Sequence, residues 1–157
     1  MEAKVKMTPW RITVHCSATP NGKEYSLSNI RRDHLKRGFS DVGYHGVIQP
    51  DGEWERGRGL NEKGAGVEGD NDGNIHICLV GETLYTKEQF KTLRYRLDSI
   101  FMVYSIKPWD LYCHYQFRSA IKQGKTCPNI PINQLLIWYH LDDEKAVEPF
   151  TLYRPLL

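Results

Sequence analysis

The stretch "NIHICLVG", Asn74–Gly81, decides the fold. It is a short, nearly continuous apolar run that ends on a glycine. Such runs read as strands buried on both faces, in the middle of a sheet covered by helices. On its N-terminal side lies "GLNEKGAGVEGDNDGN", glycine-rich and polar with no periodicity. That is a long loop, and long loops in compact domains are often functional. Before the loop, "VGYHGVIQPDGEWERGR" predicts a hairpin turning at Asp51-Gly52. On the C-terminal side, Thr86 and Gln89 form a capping box for an amphipathic helix reaching about Tyr104, with Phe90, Leu93, Leu97, Ile100 and Phe101 on one side. Pro108 stops any continuation.

Further out, "WRITVHC" predicts a strand from Trp10 to Cys16, with Trp10, Ile12, Val14 and Cys16 on one face and Arg11, Thr13 and His15 on the other. "SLSNIRRDHLKRGF" predicts a helix capped by Ser28, using Ile30 and Leu35 and ending at Gly38. "DLYCHYQF" is a short extended or irregular segment. "PINQLLIWYHL" is a last helix with Pro131 in its first turn. Strands interleaved with helices give an α/β class: one domain, a mixed sheet flanked by helices. The domain is expected to occupy residues 1–157, with a core at about 10–141 and a tail at 142–157 whose Phe150, Leu152 and Tyr153 pack back on it.

The composition bounds the function. The chain has 157 residues, 40% hydrophobic and 11% aromatic, enough for one core. A net charge of +2, with dispersed basic residues, argues against a nucleic-acid partner. No apolar run approaches the roughly 18 residues of a membrane span, and "MEAKVKMTPWRITVHC" lacks the apolar core of a secretory signal. The expectation is therefore a cytoplasmic product with no membrane partner, whose Cys16, Cys78, Cys113 and Cys127 are thiols.

"GKTCPNI", Gly124–Ile130, sets a lysine, a cysteine and a proline in one loop. Cys127 is open to four readings: nucleophile, half of a disulfide, metal ligand or core residue. His15, at a strand end, and His114, shortly before this loop, lie where open sheets place sites. Two imidazoles and a thiolate suit zinc and leave a fourth position open for water. No His-x-x-x-His or Cys-x-x-Cys spacing supports that set, and the H-E-x-x-H glutamate of metalloproteases is missing.

In order along the chain, "VHCSAT" (Val14–Thr19), "DVGYHGVI" (Asp41–Ile48), "DGEWERGR" (Asp51–Arg58), "ICLVG" (Ile77–Gly81) and "GKTCP" (Gly124–Pro128) resemble one family. It is that of the zinc N-acetylmuramoyl-L-alanine amidases of the amidase-2 and peptidoglycan-recognition type, in particular the small phage lysozymes of T-seven-like coliphages. The resemblance runs from about Trp10 to the last helix. It implies that His15, His114 and Cys127 bind a catalytic zinc ion, that Tyr44 is the catalytic tyrosine and that Lys125 is the lysine placed beside the developing oxyanion. It implies an endolysin that cuts the amide between N-acetylmuramic acid and L-alanine in peptidoglycan, acts as a monomer on a Gram-negative host, and reaches the wall through a holin lesion. Some phage relatives also bind a phage-encoded regulatory partner such as a polymerase.

The pattern departs from the family in the long loop. Phage relatives carry "G-x-H-A" there, then asparagine and "S-I-G"; here the histidine position falls at Gly66, the asparagine at Asn71, and the glycine after Ile75 becomes His76. A strand position argues against His76 replacing the lost imidazole in space. The acidic Glu68, Asp70 and Asp72 are unusual beside a substrate that bears carboxylates. Cys16, Cys78 and Cys113 are expected to be buried, His45 to be hydrogen-bonded support, and His34 and His140 to lie on the surface. Two rival readings stand: a peptidoglycan-binding module without catalysis, and a thiol hydrolase using Cys127 or Cys16 with a histidine base.

Overall fold

The computed structural model describes residues 4–141, so the tail and its Phe150, Leu152 and Tyr153 lie outside the described residues. Five strands form one sheet: β1 (Arg11–Cys16), β2 (Gly46–Ile48), β3 (Trp54–Arg56), β4 (Asn74–Leu79) and β5 (Leu111–Cys113). Their spatial order is β3-β2-β4-β1-β5, parallel throughout except for the β2–β3 hairpin. β4 is central, and all six of its residues are buried, as its apolar run predicts. The sheet is mixed, and the chain is α/β in a single domain.

Four helices complete the fold: α1 (Leu27–Lys36), α2 (Lys87–Tyr104), α3 (Arg118–Lys122) and α4 (Ile132–His140). Register sorts the residues of β1 and β4 into two sets. Ile12, Val14, Ile75, Ile77 and Leu79 join Leu93, Leu97, Leu135 and Trp138 in the main core, beneath α2 and α4. The opposite face presents Thr13, His15, Asn74, His76 and Cys78. It is covered in part by α1 through Leu27 and Ile30, which pack with Val42, Val47 and Cys78. The polar residues of β1 and β4 therefore share one face, and the site is built there.

The capping box at Thr86 and Gln89 is present. The Gln89 side chain also donates to the carbonyls of Ile48 and Val80, tying the start of α2 to the ends of β2 and β4. Four local expectations are corrected. The cap of α1 is Ser26, whose hydroxyl accepts from Asn29 N–H, not Ser28. The buried stripe of α1 is Leu27, Ile30 and His34, spaced three and four apart, which leaves Leu35 exposed. His34 is consequently buried, not at the surface; its Nδ1 accepts from Gly43 N–H at 2.8 Å. Trp10 precedes β1 and is 51% exposed, its ring lying against Gly73 and the Arg11 guanidinium instead of the core. "DLYCHYQF" contains β5 and a 3-10 turn, and the short α3 follows it.

Candidate metal centre

Three donor-bearing residues converge at the C-terminal ends of two adjacent parallel strands. His15 is the penultimate residue of β1, and His114 directly follows β5. Cys127 arrives from the loop after α3. One ligand atom from each lies within 4.8 Å of the others, and they form the one such group of three or more found among the described residues. The imidazoles of His15 and His114 are 4.7 Å apart between centroids. The loop is held to the strands from two sides: Tyr115 N–H donates to the Cys127 carbonyl at 3.1 Å, and Cys16 N–H meets the Cys127 sulfur at 2.9 Å.

The donor set fits a borderline-soft divalent ion such as zinc. Zn–N bonds of about 2.0–2.1 Å and Zn–S bonds of about 2.3 Å need donors a few ångströms apart. One observation points the same way. His15 Nδ1 is buried and has no hydrogen-bond partner among the described residues, an arrangement that native interiors rarely leave without an explanation.

Burial holds both imidazoles neutral. It pushes His15 well below its ordinary value, helped by the nearby His76 and His114. It takes His114 down to about 4, with the Lys125 charge adding to the effect. The contact with the Cys16 side chain, followed by burial, pushes the Cys127 thiol up. A cation is what would favour its thiolate.

The family model described as N-acetylmuramoyl-L-alanine amidase matches residues 5–130. The chain belongs to this amidase family. The endolysin of Klebsiella phage KP32 is 36% identical over 115 residues, covering 66% of this chain and 76% of the relative. The endolysin of Escherichia phage T7 is 36% identical over 101 residues, covering 59% and 67%. Among solved structures, the N-acetylmuramoyl-L-alanine amidase LysC from Clostridium intestinale superposes with a TM-score of 0.74 at 26% identity, over 87% of this chain and 88% of that one.

Within the amidase frame, Tyr44 lies two residues before β2 and packs its ring 5.1 Å from both His15 and His34. Burial pushes its phenol well above the ordinary value, so it carries its proton at neutral pH. Lys125 is exposed and lines a groove of about 630 Å³ with Tyr115, Ile121, Thr126 and Ile130. Two of its lining residues, Thr126 and Tyr115, are chain neighbours of Cys127 and His114, although the three donor residues do not themselves line it. Its size is that of an ordinary ligand cleft.

The remaining cysteines and histidines divide as follows. Cys16, Cys78 and Cys113 are buried free thiols, and His140 is exposed. His45 is buried; its Nδ1 accepts from His76 N–H and its Nε2 meets the Glu62 carbonyl, a supporting role as expected. Two of the acidic loop residues have structural partners. Asp70 pairs with Arg11 at 3.1 Å, and Glu68 accepts from Gln123, so two of the three tie the loop to β1 and to the end of α3.

The expectation for His76 is corrected. Its imidazole does reach the place where a side chain on residue 66 would lie: a Cβ added at Gly66 would sit 2.6 Å from the His76 ring and 3.0 Å from His15 Nε2. In the parallel register His76 faces Thr13, two residues from His15 on the same face. A strand position therefore brings the ring to the site instead of excluding it. Sequence reasoning also missed Asn71 as the residue behind His76, 2.9 Å from its Nε2. The signal was there in paired form: Gly66 where the resemblance expects histidine, and His76 where it expects glycine.

Proposed function

We propose that this chain is a zinc-dependent N-acetylmuramoyl-L-alanine amidase that serves a phage as an endolysin. The observation that carries the reading is the convergence of His15, His114 and Cys127 within 4.8 Å, with His15 Nδ1 buried and unpartnered among the described residues. His15, His114 and Cys127 would hold the ion. When bound, zinc supplies a Lewis acid that polarises the scissile carbonyl and activates water.

The chain's own groups supply the rest. Tyr44, its ring 5.1 Å from that of His15 and its phenol kept protonated by burial, is the group that would orient the reacting groups and pass a proton toward the leaving amine. Lys125 brings a positive charge to the rim of the groove, where it stabilises charge developing on the carbonyl oxygen. The hydrolysis adds water across the amide, leaving a carboxylate on the lactyl group of N-acetylmuramic acid and a free amine on L-alanine. In the endolysin role, access to the wall depends on a holin lesion; no helix of the described residues is long and apolar enough to cross a membrane.

A nucleophilic cysteine needs a stabilised thiolate; the surroundings of Cys127 favour its neutral form, whereas Cys16, drawn down to about 7 by its side-chain contact with Cys127, is the thiol that the Cys16→Ala variant must test. The experiment that tests the proposal is metal analysis of the wild type and Cys127→Ala. The expected result is about one zinc per chain in the wild type and loss of it in the variant. Undiminished zinc in Cys127→Ala would remove Cys127 as a ligand.

A further inference from the structure

We propose that His76 is a positioning residue of the metal centre: it fixes His15 in the tautomer that presents a bare Nδ1 to the other two donors, working from the space that Gly66 leaves open. The inference rests on the reading of His15, His114 and Cys127 as metal ligands.

The proton positions follow from a chain of contacts with one unambiguous end. Val67 N–H donates to Asn71 Oδ1 at 2.9 Å, and a backbone N–H can only donate. That oxygen is therefore correctly placed, and it is an acceptor. His76 Nε2 lies 2.9 Å from the same oxygen, so it must carry the proton and donate. A neutral imidazole has one donor and one acceptor nitrogen, which makes His76 Nδ1 an acceptor. His15 Nε2, 2.9 Å from His76 Nδ1, then donates to it. His15 Nδ1 is left with a lone pair and no proton, and this is the buried atom that has no partner among the described residues. Each link is set by the one before it.

The His76 ring is held as firmly as its protons. A Cβ added at Gly64 would lie 2.8 Å from His76 Cδ2, and one added at Gly66 would lie 2.6 Å from both Cγ and Nδ1. Gly66 is not in the left-handed region, so side chains and not the backbone exclude a Cβ there, the His76 ring most closely and His15 Nε2 next at 3.0 Å. Residues 66 and 76 thus compete for one volume, and only one of them can carry an imidazole into it. The exchange of histidine and glycine between these positions, seen against the family pattern, moves the imidazole from the loop to the strand.

Metal-binding histidines usually donate their second nitrogen to a carboxylate, a carbonyl or water, and the partner fixes tautomer and ring direction. Here the partner is a neutral imidazole backed by an amide. It fixes direction without bringing a negative charge to a buried site. Loss of such partners typically weakens metal binding about 10- to 100-fold.

The test combines NMR with metal affinity. In the metal-free wild type, nitrogen-15 spectra of the histidine side chains should show His15 and His76 both protonated at Nε2. A His15 proton on Nδ1, or exchange between tautomers, would overturn the proposal without any mutation. His76→Phe keeps a ring and removes the acceptor. It should still bind one zinc at saturation, about 10- to 100-fold more weakly, with His15 no longer locked in one tautomer. The double exchange Gly66→His with His76→Gly should recover affinity to within about tenfold of the wild type if the two positions share one volume. Wild-type affinity in His76→Phe with His15 still locked would overturn the positioning role, and a double exchange no tighter than His76→Phe would overturn the shared volume. A wild type that binds no zinc would instead sink the functional reading beneath it.

Discussion

The backbone N–H of Cys16 lies 2.9 Å from the sulfur of Cys127, a contact that spans 111 residues. The chain neighbour of one candidate ligand therefore holds another, and it does so through its backbone. Replacing the Cys16 side chain should leave that contact in place. Cys16→Ala is expected to keep one zinc and activity within about threefold, at a stability cost of roughly 1 kcal/mol. Activity lost with zinc retained would revive Cys16 as a nucleophile.

Lys125 is exposed and its expected work is electrostatic. Lys125→Ala should lower kcat by about 10²-fold, the cost of losing one group that stabilises an oxyanion, with zinc content unchanged. Stability should move by less than about 0.5 kcal/mol, as for other exposed positions. An unchanged kcat would return Lys125 to the status of a solvated loop charge.

Tyr44→Phe retains the ring that packs on His15 and His34 and removes only the hydroxyl. The expected outcome is a kcat loss of about 10²-fold or more, with thermal unfolding and zinc content near those of the wild type. If kcat survives, the hydroxyl takes no part in proton transfer or orientation.

Acid should unfold the metal-free protein through its buried imidazoles. Burial takes His34, His45 and His114 each down to about 4, against about 6.5 in an unfolded chain. Between those values the unfolded state binds protons that the folded state refuses, so stability falls as pH falls. It is fully present above about pH 6.5 and is lost progressively toward pH 4. Urea unfolding midpoints at pH 7, 6, 5 and 4.5 should decline in that order; midpoints that stay level would show that these rings are protonated in the folded state.

Much of this was legible in the sequence because it is written in local pattern. The apolar run of β4, the capping box at Thr86 and the Asp51-Gly52 turn each specify their own geometry. The order of short motifs also brought His15, Tyr44, His114, Lys125 and Cys127 forward, and the fold gathers the two histidines and Cys127 although 112 residues of sequence separate the first from the last. What escaped depends on neighbours distant in the chain. β5 is three residues long and exists because β1 offers it a parallel edge. Trp10 continues the alternation of β1 yet covers Gly73, because the ladder ends there. For His76, strand alternation gives only a direction, whereas the parallel pairing of β1 and β4 decides what lies in that direction.

The most direct test of the central claim is a digest of purified Gram-negative peptidoglycan, followed by mass spectrometry of the products, with and without a chelator. The account predicts stem peptides that begin with a free L-alanine amine, glycan strands of undiminished length, and no cleavage once zinc is stripped until it is restored. Cut glycosidic bonds, or cleavage that persists in the chelator, would contradict it.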